Sequence, residues 1–191
     1  MSKHRVHLAR ASHDAIMVGV GTVIADDPDL TCRLPGMMHL SPVRIIIDTH
    51  LDTPSTARVI ETAAKVPTWI VTAEDAPLDR ETNLKREGVQ VIRVQKDSQG
   101  HVDIKAAMHK LAEIGITRIF SEGGPTLAEA LVVNRLVDCV EIITSPEALG
   151  RAGTIALRPA LKSALADQRL FVTSPPHVVG RDHLQYFERV R

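Results

Sequence analysis

Aromatic side chains are scarce in this sequence: three Phe, one Tyr and one Trp, 3% of 191 residues. Rings are too few for the stacking platforms that bind single-stranded nucleic acid, and the core must be aliphatic. Excess charge is lacking as well. Lys plus Arg and Asp plus Glu each number 23, a formal net charge of zero, so no broad field draws the protein to nucleic acid or to an anionic membrane. Any anionic ligand must be held locally. Cysteine is nearly absent, and Cys32 and Cys139 have neither CxxC nor Cys/His spacing. That argues against a disulfide framework or a structural zinc and fits reduced thiols in a cytosol. The longest apolar run, Ala15 to Ala25, is short for a bilayer span and is broken by Gly and Thr. Neither a signal peptide nor a transmembrane helix is expected.

What the sequence does contain is alternation. Apolar β-branched runs end in small-residue turns, and several are followed by segments of helical period. Strands are predicted near 15–18, 43–48, 68–72, 89–94, 118–121, 137–144, 168–173 and 183–190. Helices are predicted over about 3–13, 78–86, 103–114 and 125–135, the third with Asp103 as N-cap and Gly115 as stop, the fourth with Pro125 in its first turn. At about 150 residues per domain, the length predicts roughly one domain. The order of elements predicts an α/β fold with a mostly parallel sheet, antiparallel C-terminal strands and helices on both faces. Residues 26–42, with Pro28, Pro35, Gly36 and Pro42, read as a long loop of the kind that often carries function.

Two glycine turns stand out. In VGVGTVIADDP, Gly19 and Gly21 follow an apolar strand, and a second strand ends at Asp48. This imitates a dinucleotide fingerprint, but the third glycine would fall at Ile24 and a proline-broken loop replaces the crossover helix. The pair serves either as packing glycines or as bare backbone beside a ligand, with Thr22 offering a hydroxyl. In IFSEGGPTLAEA, a strand, a Gly123-Gly124 bend and a helix opening at Pro125 and Thr126 form an anion cradle suited to a pyrophosphate, without the lysine of an ATP-hydrolysing loop. Glu122 beside it is either a solvated turn residue or an acceptor for a sugar hydroxyl. ADDPDLTCR adds Asp26, Asp27 and Arg33, which read as turn residues or as ligand contacts, Arg33 acting with Arg10 on a substrate phosphate. The nine histidines include His4 and His7 on one helix, but no third ligand sits at metal spacing and no metal site is expected. No nucleophile signature appears; a bound hydride donor would make one unnecessary.

Arg10 with SHDAIMVGVGTVIADDPDLTCR, then SPVRIIIDT, GITRIFSEGGPTLAEALV, LVDCVEI and GRDHLQYF, resembles the reductase domain of the riboflavin-biosynthesis deaminase-reductase family over nearly the whole chain. The resemblance implies a dihydrofolate-reductase-like fold and NADPH as hydride donor. It also implies 5-amino-6-(5-phosphoribosylamino)uracil as the substrate whose ribose becomes a ribityl chain. By position, NADPH contacts fall on Thr22, Asp26, Thr49 and the backbone of Gly124, Pro125, Thr126, Leu127, Ala128, Glu129 and Ala130. Substrate contacts fall on Arg10, Leu30, Arg33 and Glu122, and no catalytic residue is assigned.

Residues 1–191 then form a single reductase-like domain without the family's deaminase domain. Its first strand, with an SLDG-type turn and a substrate-side lysine, is not found, since Met1 opens inside the helix that carries Arg10. That strand is central to the family's sheet, so weak activity is expected of the chain alone. Two other readings stay open: the same fold and cofactor with another small substrate, and a non-catalytic nucleotide-binding remnant. A homodimer in the cytoplasm, with no nucleic-acid or membrane partner, is the expected assembly.

Overall fold

The computed structural model describes residues 2–191, so Met1 lies outside the described residues. The chain divides into two compact units, one of residues 7–124 and one of residues 125–191 with the opening residues up to Val6.

Alternating apolar runs and turns become, in the first unit, a five-stranded parallel sheet. Its strands are β1 (Ala15–Gly19), β2 (Val43–Ile47), β3 (Thr68–Ala73), β4 (Val89–Val94) and β5 (Ile119–Ser121), in the order β4-β3-β2-β1-β5. β1 pairs with β2 on one side and with β5 on the other, Met17 opposite Ser121. Helix α1 (Ser2–Ser12) precedes β1 and α2 (Val20–Asp26) follows it directly; α3 (Arg58–Glu61), α4 (Leu78–Leu84) and α5 (Ile104–Glu113) come later in the chain. The crossover segments return each strand parallel to the last, and such sheets are apolar on both faces. Ile16, Val18, Ile46, Val59, Ile60, Ile70 and Leu84 accordingly form one aliphatic core.

Local chemistry sets the boundaries. The Asp103 carboxylate accepts from the backbone N–H groups of Lys105 and Ala106 and caps α5 as expected. Gly115 follows that helix at φ +96. Gly88 takes φ +80 before β4, where an added Cβ would stand 2.0 Å from the Ala63 carbonyl oxygen, so only glycine fits. Asp14, just before β1, accepts from the Thr117 N–H and hydroxyl and from the Arg118 N–H, which ties β1 to the start of β5.

In the second unit, α6 (Pro125–Val133), β6 (Cys139–Thr144), α7 (Pro159–Ala166), β7 (Phe171–Thr173), β8 (His177–Val179) and β9 (Asp182–Arg189) follow in order. β9 pairs antiparallel with β6, β7 and β8. Val132, Leu161, Leu165, Phe171 and Phe187 make its core.

Five elements depart from the expected pattern. α2, α3, α7 and β8 are absent from the predicted helices and strands, and β7 opens at Phe171, later than expected, because the Asp167 carboxylate accepts from the Arg169 N–H and holds that segment as a turn. Of the loop at 26–42, residues Met38–Leu40 form one 3-10 turn. Among the described residues, no helix is long and apolar enough to cross a membrane.

Candidate functional site

In a parallel sheet, ligands bind beyond the carboxyl ends of the strands, where loops leave backbone exposed. In the first unit, β1 and β5 bring both glycine turns to that end. β1 finishes at Gly19, which stands at the N-cap of α2; Glu122 continues the pairing past β5 by donating its N–H to the Met17 carbonyl at 3.0 Å. Among the described residues, a Cβ on Gly19 or Gly21 meets nothing within 4 Å, and one on Gly124 meets the Thr22 hydroxyl at 4.0 Å. The packing reading of Gly19 and Gly21 is therefore corrected: no neighbour requires their bareness. What they provide is open approach to backbone beside Thr22, and a dinucleotide lying against three glycines and a hydroxyl fits that surface. The true Rossmann pattern is absent, since α2 ends at Asp26 and the chain turns into the loop. Asp48 is not a ribose ligand either. It is fully buried, with its carboxylate accepting from the N–H groups of Asp52 and Thr53 and the Thr53 hydroxyl.

Arg10, on α1, is buried and carries a two-point ion pair. Its Nε donates to Glu122 Oε1 at 2.7 Å and its Nη2 to Oε2 at 2.6 Å, while Nη1 donates to the Thr31 carbonyl at 2.9 Å. The guanidinium fork matches the carboxylate plane, the strongest geometry for such a pair. Positive charge that the resemblance assigns to a phosphate is thus already balanced by Glu122. Glu122 in turn is held rigid, and a carboxylate has about four acceptor sites, so capacity remains for a hydroxyl.

The Asp26–Arg33 segment is fixed from several sides. Asp26 is exposed, whereas Asp27 takes φ +39 and accepts the Arg58 N–H at 2.8 Å, capping α3. Asp29 lies 2.8 Å from Arg58 and 3.6 Å from Arg33. Leu30 is buried at φ +55, a left-handed conformation that costs a leucine about 1 to 2 kcal/mol. Beneath it, Arg44 on β2 is fully buried and donates to the Asp29 carbonyl, the Thr62 hydroxyl and the Val66 carbonyl. Among the described residues, its Nε has no hydrogen-bond partner. Burial pushes this guanidinium down to about 10, opposed by the charge of Asp29. Arg33 keeps most of its side chain in solvent, 61% exposed, and is the accessible cation of this segment.

Thr49 follows β2. Its hydroxyl accepts from the Val102 N–H at 3.2 Å and its carbonyl from the Thr72 hydroxyl at 3.1 Å. A cavity of about 310 Å³ lined by Leu51, Asp52, Thr53, Arg80 and Asn83 contains none of the residues that the resemblance assigns. In the second unit, Thr126 accepts from Arg158, and Glu129 accepts the Ala160 N–H at 3.1 Å and stands 3.4 Å from Arg158. Leu127 is buried and Ala128 packs on that unit's core. The side chains at 126–129 are thus engaged within their own unit, and backbone is what α6 has to offer.

Arg44, Arg58 and the partner of Arg10 escape sequence reasoning because each acts across a long separation: Glu122 stands 112 positions after Arg10, and Arg58 stands 31 after Asp27. A basic residue inside the apolar run VRIII was the one local signal for Arg44.

The RibD C-terminal domain family matches residues 1–178. The riboflavin biosynthesis protein RibD of Bacillus amyloliquefaciens is 38% identical over 147 residues, covering 77% of this chain and 38% of that protein. The 2,5-diamino-6-ribosylamino-4(3H)-pyrimidinone 5′-phosphate reductase of Methanothermobacter thermautotrophicus is 37% identical over 147 residues, 76% of this chain and 65% of that protein. The chain thus spans less than two thirds of the length of both relatives. Among solved structures, the riboflavin biosynthesis reductase Rib7 of Saccharomyces cerevisiae superposes with a TM-score of 0.77 at 24% identity, covering 99% of this chain and 81% of that one. Acinetobacter baumannii RibD superposes with 0.74 at 22% identity, covering 99% and 50%. The fold is thereby that of these reductases, and the chain belongs to the RibD C-terminal domain family.

Proposed function

We propose that the chain reduces a phosphoribosylamino-pyrimidine of riboflavin biosynthesis, 5-amino-6-(5-phosphoribosylamino)uracil, with NADPH. One observation carries the reading: the adjacent parallel strands β1 and β5 end together in bare glycine backbone beside Thr22 and in a carboxylate, Glu122, locked in place by Arg10. The bound dihydronicotinamide supplies the hydride that turns the ribose into a ribityl chain. The residues of the chain bind and orient.

On the cofactor side, Gly19, Gly21 and Gly124 let backbone approach the dinucleotide and Thr22 offers a hydroxyl; by resemblance, Asp26 and Thr49 of the same unit add contacts. On the substrate side, Arg33 takes the 5′-phosphate, because Arg10 is already neutralised whereas Arg33 is exposed and stands 3.6 Å from Asp29. Glu122 accepts a sugar hydroxyl with its remaining lone pairs, and Leu30 supplies an apolar wall. Positioning of this kind is the protein's share of a hydride transfer.

The pyrimidine itself admits a second reading, since one relative is named for the 2,5-diamino pyrimidinone phosphate. Both candidates carry the same phosphoribosylamino group and differ on the ring, away from Arg33 and Glu122.

Gly124→Val tests the cofactor side. A Cβ at this position meets only the Thr22 hydroxyl, at 4.0 Å, among the described residues, so the fold should keep its stability while NADPH affinity falls strongly. An unchanged NADPH titration in a variant of unchanged Tm contradicts the assignment.

A further inference from the structure

His7 occupies the turn of α1 before Arg10. Its Nδ1 accepts the backbone N–H of Arg33 at 3.2 Å, and Arg10 holds the Thr31 carbonyl at 2.9 Å. One helix face therefore grips the segment 31–33 at two backbone points. The Arg33 side chain itself stands 61% exposed, with Asp29 at 3.6 Å. The direction in which its guanidinium leaves the loop is set by the backbone that His7 holds.

An N–H donor facing Nδ1 fixes the chemistry of the ring. Nδ1 must carry its lone pair, so the imidazole is neutral with its proton on Nε2; a protonated ring would present N–H to N–H. The groups around it favour that state. Burial and the cations of Arg10 and Arg33 hold the imidazole below the ordinary histidine range, against the opposing pull of the Thr31 backbone and the Glu122 carboxylate.

We propose that His7 is the positioning residue for Arg33: its neutral imidazole anchors the Arg33 amide so that the guanidinium meets the substrate's phosphate, and protonation of the ring releases that anchor. The inference rests on the reading of Arg33 as the phosphate residue. Substrate affinity then weakens as pH falls through the titration of His7, while NADPH affinity and the hydride step stay as they are.

Two substitutions separate this from a merely structural role. His7→Asn places an amide oxygen where Nδ1 accepted and does not titrate; His7→Leu removes the acceptor. In the full chain at about pH 8, His7→Leu should raise KM for the phosphoribosylamino-pyrimidine about three- to tenfold, the loss of one neutral hydrogen bond, with kcat and the NADPH Kd unchanged. His7→Asn should restore KM at about pH 8 and lessen its rise toward about pH 5, removing the part that belongs to the ring and leaving the part set by the substrate's phosphate, whose second ionisation lies at about pH 6. The Arg33 amide resonance in 15N spectra should titrate with the His7 ring in the wild type and stay flat in His7→Asn.

A wild-type KM in His7→Leu, an acid rise of KM in His7→Asn as large as that of the wild type, or a flat Arg33 resonance in the wild type overturns the proposal. If His7→Leu does not fold, His7→Asn and the amide titration decide alone. Arg33→Ala separates the two levels: unchanged KM there refutes the phosphate reading and the proposal with it. Raised KM there with wild-type KM in His7→Leu refutes the anchor only.

Discussion

Arg33 is the residue on which the substrate assignment turns. Losing a charged hydrogen bond costs about 1.5 to 3 kcal/mol, so Arg33→Ala should raise KM for the phosphoribosylamino-pyrimidine roughly tenfold to a hundredfold and leave NADPH affinity nearly intact. A fall in NADPH affinity with substrate affinity preserved would show that the two sides are wrongly assigned. Glu122→Ala has a second consequence, because Arg10 is left buried without its anion. About 2 kcal/mol of stability should go with it, read as a lower urea midpoint, since an unpaired buried charge costs more than a lost surface contact.

The sequence already marks Arg33 and Glu122 as odd, one a charge in a proline-rich loop and the other a carboxylate beside an anion cradle. The pairing of Glu122 with Arg10 was hidden, because no local pattern links residues that meet only through β1 and β5. His7 was visible as a histidine on a helix, and nothing in its neighbours in the chain announced the Arg33 amide.

At the scale of elements, legibility followed length and period. The five parallel strands and α5 declared themselves through apolar runs and through a cap, Asp103, whose geometry the structure reproduces. α3 is four residues capped from the distant Asp27, and β8 is three residues, largely exposed, so neither produces a periodic signal. α7 had one that went unread: Pro159 at the first position, then Leu161 and Leu165 on one buried face.

Asp103→Ala should cost about 1 kcal/mol, as lost caps do. Hydrogen bonds from the Ala106 N–H, the Gln95 amide and the Lys105 N–H hold the Asp103 carboxyl below the usual carboxylate range, and those of Thr117 and Arg118 do the same for Asp14. Both groups therefore add stability that is present above the unfolded value near 3.8 and is lost as pH falls through the lower folded values. Urea titrations should show wild-type stability declining more steeply than that of Asp103→Ala in this acid range; parallel curves would contradict the cap's role. Gly88→Ala is the harsher change. With a methyl 2.0 Å from the Ala63 carbonyl oxygen and φ at +80, it should destabilise by about 3 kcal/mol or more, and a near-wild-type urea midpoint would refute that clash.

For the whole molecule, composition excluded more than it identified. Zero net charge and few rings removed the nucleic-acid classes, while the α/β order gave the class of fold. The expectation of parallel strands followed by antiparallel ones holds, yet β9 lying between β6 and β7 is a non-local choice that no single run specifies. The proposed function draws on two motifs, VGVGTVIADDP and the SEGG turn, that lie far apart in the sequence and finish side by side at the ends of β1 and β5.

The loss of NADPH in the presence of 5-amino-6-(5-phosphoribosylamino)uracil, measured on the full chain together with the product formed, tests the central claim most directly. The account predicts substrate-dependent oxidation, one NADPH per ribityl product, saturating with substrate in the wild type and shifted to higher substrate concentration in Arg33→Ala. NADPH that binds but is consumed with neither this pyrimidine nor its 2,5-diamino counterpart would contradict it.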